Sequence, residues 1–396
     1  MTLPKGSLAD DPKLPPISVA GRPLYSIKFS PEIFLNKTTT IWGSTNTGKT
    51  IIADNILYTL RNSIPVVVGY LGSTNEKNGM GKHFPKGSYT KSMTFESFNN
   101  LAFRMRSMAD IYSKVNDINI LLNMAYKYVP DITFRQDIAD IKYKMNKCID
   151  EIKANNIGTN GGEGKIQKIK ERSTDEIKMV VRKAISKHKP HLVKYKLSEM
   201  SEDERLVVHF INYCPYVLCF IDDMTTKIIT ISKQKKQGEA FQDIFTQARW
   251  WYLTMLMILH APNSIPPEIK KGIFINIFTE STQVNHFFTT KGVPYSKDLI
   301  KEALALSNEL YNNWKSHYRC LVYIREDPCP FRYYVADESI SVKSFTMGSE
   351  SFKKLCEELY KKEVAVGLSD NPFLNSIKKA IKTETRRPHS IAPVKL

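Results

Sequence analysis

The segment Gly43-Ser-Thr-Asn-Thr-Gly48-Lys49-Thr50 constrains this chain more than any other, because it matches GxxxxGK[ST] in full between a β-branched run and an amphipathic one. Chance supplies such a match about once or twice per hundred chains of this length, before the flanking strand and helix patterns are counted. Glycines at both ends permit tight turns that aim backbone N–H groups at phosphate oxygens, and the following helix adds its positive dipole end. The expected ligand is ATP, cradled by Gly43, Ser44, Thr45, Asn46, Thr47, Gly48, Lys49 and Thr50. Lys49 is expected at the β- and γ-phosphates, and the Thr50 hydroxyl on Mg2+.

A second element is Tyr216-Val-Leu-Cys-Phe-Ile221-Asp222-Asp223, an apolar run that ends in two carboxylates. A buried strand would present those acids at its carboxyl end, beside a phosphate loop on the same sheet edge. This is a Walker B pattern. It makes Asp222 the expected Mg2+ partner and Asp223 the general base that polarises the attacking water. Taken alone, such a run is as readily a strand end and a turn; the phosphate loop gives it weight.

Runs at 38–42, 64–71, 216–222, 254–261 and 272–278 read as five core strands alternating with longer amphipathic stretches, which predicts an α/β fold around a mainly parallel sheet. A helix is expected from Lys49 to about Arg61. Segments 94–128, 132–153 and 165–188 show helical spacing between the second and third strands, with a break at the glycine-rich 155–164. Further along, a helix at 296–314, strands at 320–324 and 331–335, and a helix at 349–361 are expected. The organisation read from this pattern is an extended proline-rich arm at 1–30, an ATPase domain at 31–362 carrying a helical insertion at about 95–200, and a basic, mobile tail at 363–396.

Charge narrows the partners. The chain has 57 Lys and Arg against 40 Asp and Glu, a formal charge of +17 that favours a polyanion. Residues 161–196 alone hold eleven Lys or Arg and four acids. Such a run also suits a merely solvated helix face. Cys148, Cys214, Cys219, Cys320, Cys329 and Cys356 form no CxxC pair and no ligand spacing with histidine, so they read as reduced thiols. No signal or membrane-spanning pattern stands out. Trp250 and Trp251 are expected to pack as core at the start of a strand.

The order of these motifs resembles the genome-packaging ATPases of poxviruses and other nucleocytoplasmic large DNA viruses, within the FtsK–HerA superfamily. The resemblance runs from about Thr38 to Val335 and rests on the phosphate loop at 43–50, Phe220-Ile-Asp222-Asp223-Met224, and Phe245-Thr-Gln-Ala-Arg249-Trp250 leading into an apolar strand. It implies a RecA-like core and a ring of five or six identical subunits on a capsid vertex protein, moving double-stranded DNA without sequence preference. It also implies a location in the host cytoplasm or the virion, with no membrane. The family's Gly-Arg-His triplet stands here as Ala248-Arg249-Trp250, so the resemblance gives only Arg249 a role, as a charge sensor in catalysis. Where the family has a glutamine sensor this chain has His260, and Lys270 or Lys271 occupies the place of a basic residue that acts across subunits. The insertion between Lys49 and Asp222 is wider than in compact members. Two other readings remain: an ATP-binding capsid-vertex assembly factor with little turnover, and a nucleotide kinase, for which no arginine-rich lid is visible.

Overall fold

The computed structural model describes residues 16–19, 22–72, 79–155, 162–290, 292, 295–312, 318–364 and 372–385. Contacts divide the chain into two compact units, one of residues 1–106 with 215–396 and one of 107–214.

The first unit opens with strands β1 (Ile17–Val19) and β2 (Arg22–Leu24), then helix α1 (Pro31–Phe34) and strand β3 (Thr38–Trp42). Helix α2 (Lys49–Leu60) leads to β4 (Val66–Leu71) and the two-residue β5 (Tyr89–Thr90), after which α3 (Phe95–Val115) crosses into the second unit. That unit contains α4 (Ile118–Tyr128), α5 (Thr133–Asn155), α6 (Glu163–Tyr195) and α7 (Glu202–Phe210). The chain returns through β6 (Val217–Asp222), α8 (Thr225–Ser232), α9 (Lys235–Gln247) and β7 (Leu253–Leu259). Then come α10 (Pro267–Gly272), β8 (Ile275–Phe278), α11 (Ser281–Thr289) and α12 (Lys297–Asn312). Strands β9 (Arg319–Ile324) and β10 (Phe331–Val335) precede α13 (Glu338–Ser341), α14 (Glu350–Val364) and α15 (Pro372–Thr385).

Among the described residues one sheet of eight strands runs in the order β10-β9-β8-β3-β7-β6-β4-β5. Neighbours from β8 to β5 are parallel, while β9 is antiparallel to both β8 and β10. The fold is therefore α/β with the strand order of a RecA-like P-loop core. All five residues of β3 are buried and Thr39–Trp42 pair on both sides, which is why its sequence is a continuous β-branched and apolar run rather than an alternating one. Because the strands are parallel, the segments that follow β3, β6, β7 and β8 all emerge at one sheet edge.

The second unit has its own core. Leu121, Met124 and Ala125 of α4 meet Phe134 and Ile138 of α5, Ile177, Val181 and Ile185 of α6, and Val207 and Val208 of α7. Burial every four residues on α6 is the helical repeat that the sequence pattern showed. Asp117 caps α4, and Ser201 with Glu204 forms a capping box on α7.

Several expectations are corrected. The sheet has more strands than the five core strands and the 320–324 and 331–335 pair, because β5 adds to its far edge. The segment 94–128 is two helices, α3 and α4, separated at Asn116 and Asp117. The supposed arm is structured from Ile17: Ile17 and Leu24 are buried, and Tyr333 of β10 takes hydrogen bonds with Tyr25 at 3.0 Å and Ile27 at 2.9 Å. Residues 1–15, 20–21 and the core of the 155–164 break, 156–161, lie outside the described residues. The tail contains α15, anchored by buried Phe373 and Ile377, with Phe373 edge-on to Phe352 at 5.1 Å; residues 386–396 lie outside the described set. Trp251 is buried but Trp250 is 67% exposed, its ring 4.8 Å from the guanidinium of Arg249 in the same 3-10 turn. No helix among the described residues is long and apolar enough to cross a membrane.

Candidate active site

The phosphate loop is shaped by what surrounds it. A Cβ at Gly43 would lie 1.9 Å from the Thr279 hydroxyl, so only glycine passes between β3 and the end of β8. Asn46 and Gly48 adopt left-handed φ angles of 64° and 87°, and Gly48 starts α2. Left-handed turns of this kind gather backbone N–H groups into an anion-binding concavity, and Asn and Gly tolerate them best. Lys49 is largely buried and donates to the carbonyls of Gly43 at 2.7 Å and Ser44 at 2.5 Å. Burial lowers its pKa, opposed by the charges of Glu280, Asp222 and Asp223. A desolvated ammonium bonded to the loop's own carbonyls is a cation suited to a phosphate.

Two carboxylates stand across from it. Asp222 ends β6, half-buried, and Asp223 turns out of the sheet at φ 54°, exposed to solvent. Gly72, after β4, makes that turn possible: a Cβ there would meet the Asp223 carbonyl at 2.7 Å. β7 lies between β3 and β6, and the residue after it, His260, brings Nε2 to 3.0 Å from Asp223 Oδ1. Strand order thus converges Lys49, Asp222, Asp223 and His260 from three strand ends.

Burial first, and the Asp223 charge second, push the Asp222 carboxyl from 3.8 up to about 6. The half-buried Asp222 carboxyl and the exposed Thr50 hydroxyl are both hard oxygen donors, the kind that suits Mg2+ shared with phosphates. Among the described residues no group of three or more His, Cys, Asp or Glu is placed to hold a metal ion.

The raised pKa has a thermal consequence. Folded Asp222 binds its proton more tightly than unfolded, so its charge destabilises the fold above about pH 6, and that penalty disappears below about pH 4. An Asp222→Asn variant without Mg2+ or nucleotide is expected to gain up to about 2 kcal/mol of stability at neutral pH and nothing near pH 4. Melting curves at the two pH values check this; a gain of equal size at both would assign it to something other than the buried charge.

Glu280, at the start of α11, is a residue that the sequence pattern missed. Its Oε1 accepts from Ser44 N at 2.8 Å, Ser44 Oγ at 2.6 Å and Gln283 Nε2 at 2.8 Å. Burial pushes this carboxyl up, but the bonds from Ser44 and Gln283 outweigh it and hold the group below the usual range. Thr279 joins in, its hydroxyl 2.6 Å from that of Thr47. The loop is therefore latched to the end of β8 as well as to its own strand. Glu280 lies far along the chain from position 43, and no motif spacing marks it.

Arg249 is elsewhere. It lines a cavity of about 440 Å3 with Lys37, Thr38, Lys271, Phe274 and Arg325, at the end of the sheet where β3 begins. The phosphate loop leaves the other end of β3, roughly 13 Å of strand away. Arg249 therefore does not act on the phosphates of its own chain. Lys270 is fully buried, its Nζ has no hydrogen-bond partner among the described residues, and burial lowers its pKa to about 8; Lys271 is exposed and lines the cavity. Of the two lysines only Lys271 is placed to meet another molecule.

No family model matches the chain. In sequence it is 26% identical over 367 residues to "Uncharacterized protein B354L" of African swine fever virus, covering 89% of this chain and 96% of that relative; other isolates match at the same identity. Among solved structures it is similar to EssC (ATPases 2 and 3) of Geobacillus thermodenitrificans, at 11% identity and a TM-score of 0.33, covering 91% of this chain and 53% of that one. The chain thus spans about half the length of EssC. It is also similar to the genome packaging NTPase B204 of Sulfolobus turreted icosahedral virus 2, at 12% identity and a TM-score of 0.31, covering 75% and 95%. A third is the bacterial conjugative coupling protein TrwB, at 11% identity and a TM-score of 0.32, covering 87% and 92%. By its own strand order and the placement of its phosphate loop and paired carboxylates, the chain has a P-loop NTPase fold.

Proposed function

We propose that the chain is an ATPase that drives double-stranded DNA into a viral capsid. The observation that carries the reading is the convergence of Lys49, Asp222, Asp223 and His260 beside the loop 43–50 at one sheet edge. Thr50 and Asp222 would hold Mg2+, which supplies Lewis-acid stabilisation of the phosphates. The backbone of 43–50 and Lys49 bind the triphosphate. Asp223 takes the proton of the attacking water as its oxygen bonds to the γ-phosphorus and the diphosphate leaves. His260 holds Asp223 in place through the 3.0 Å contact, the position a glutamine fills in the resembling family.

Subunits would assemble as a ring of five or six on a capsid vertex protein, in the host cytoplasm or the virion. Arg249 and Lys271, at the opposite sheet edge, would then serve a neighbouring subunit's phosphates rather than their own. What favours DNA as the cargo is the net charge, the resemblance in motif order, and the state of the basic residues on α6. Arg182 is held by Asn116 and Ile211, and Lys187 by Asp131. Lys165, Lys168, Lys170, Lys183 and Lys194 are exposed, a set of cations presented to solvent. A phosphate backbone gives such cations a partner without base information.

The test is a salt titration of duplex binding. Reversing Lys165, Lys168, Lys170 and Lys183 to Glu is expected to weaken binding equally for unrelated sequences and to flatten the slope of log affinity against log salt by about 0.9 per lost phosphate contact. A deletion of 386–396 reports on the tail in the same way. Slopes that superimpose on wild type for both variants would remove both regions from the DNA path.

A further inference from the structure

The nucleoside end of the ligand has no partner in the motifs, yet strand order says where it must lie. Asp222, Asp223 and His260 follow β6 and β7, on one side of β3. The reacting γ-phosphate belongs on that side, so a triphosphate lying along 43–50 extends its nucleoside toward the other side, where β8 and β9 stand. β9 runs antiparallel to β8, with Leu321 opposite Phe278. The residue that enters β9 therefore sits at the same sheet edge as Thr279 and Glu280, next to the loop.

That residue is Tyr318. Its ring lies against the last glycine of the loop: a Cβ built on Gly48 would come within 2.5 Å of Cδ1, 3.3 Å of Cε1 and 3.5 Å of Cγ. Its backbone is left-handed at φ 51°, a conformation that an aromatic residue rarely adopts, and its carbonyl is fixed by Ala336 N at 3.1 Å. Strained backbone of this kind is characteristic of ligand clamps. The side chain is half-buried.

We propose that Tyr318 is the platform on which the base of the bound nucleoside triphosphate stacks. Resting on the nucleotide reading above, this adds the residue that makes the site prefer a nucleotide to a bare polyphosphate. Every base has a π face, so the ring contributes affinity for the nucleoside half while leaving the phosphates to 43–50.

The experiment compares binding of MgATP and of magnesium tripolyphosphate by calorimetry, for wild type and for Tyr318→Phe, Tyr318→Leu and Tyr318→Ala. Melting curves verify that each variant folds. Loss of a stacking ring costs about five- to a hundredfold in affinity. ATP affinity is expected to fall by that factor in Tyr318→Leu and Tyr318→Ala and to survive in Tyr318→Phe, with tripolyphosphate affinity within about twofold of wild type throughout and kcat at saturating ATP little changed. Unchanged ATP affinity in the folded Leu variant overturns the proposal. Equal losses for ATP and tripolyphosphate also overturn it, since the ring would then merely support the loop at Gly48. Wild type that binds neither ligand removes the nucleotide reading itself, an outcome distinct from either.

Discussion

A Lys49→Ala variant is expected to hydrolyse ATP at least about a hundredfold more slowly than wild type while melting within a few degrees of it. The activity loss follows from deleting the ammonium that meets charge growing on the phosphates. The small thermal effect follows from the surroundings of Lys49 in the folded chain. It is a largely buried cation bonded to the carbonyls of Gly43 and Ser44. Removing it forfeits two hydrogen bonds and at the same time relieves the desolvation that lowers its pKa, two effects of opposite sign. Steady-state ATPase rates and melting temperatures measured on one preparation check both halves. Turnover near wild type would take the loop 43–50 out of the chemistry.

The second large effect belongs to Asp223. An amide keeps the shape of the side chain and can still accept from His260, but it takes no proton from water, so Asp223→Asn should slow cleavage by about 10²–10⁴ with MgATP binding intact. Asp222→Asn is expected to behave differently, weakening the Mg2+-dependent part of nucleotide binding. Single-turnover rates and nucleotide titrations with and without Mg2+ separate them. Interchangeable defects would mean that the two carboxylates do not divide the work.

The sequence made the centre of the site legible because its parts are local. A β-branched run, a glycine-bounded loop and a helix placed β3 and the phosphate loop to the residue, and an apolar run ending in two acids placed β6 and the carboxylates. What it hid was whatever depends on neighbours in the sheet. Glu280, Gly72 and Tyr318 touch the site only because β8, β4 and β9 fold beside it, and no spacing in the chain encodes that. The surroundings of Arg249 were hidden in the same way: the sequence places it ahead of β7, and only the parallel sheet puts that strand end opposite the phosphate loop. The proline content of the first residues concealed β1 and β2, whose few buried side chains give too short a pattern to read. In the tail, basic residues masked the amphipathic anchor of Phe373 and Ile377 on α15.

The central claim is that this site turns over ATP in order to move duplex DNA. Its most direct test is the steady-state ATPase rate of the full chain with and without duplex DNA of unrelated sequences, at low salt, beside Lys49→Ala. A DNA motor shows a severalfold rise in rate with every duplex, and no activity above background in the variant. A wild-type rate that DNA leaves unchanged, in protein that binds and hydrolyses ATP, would contradict a DNA motor and leave the chain as a nucleotide-dependent assembly factor.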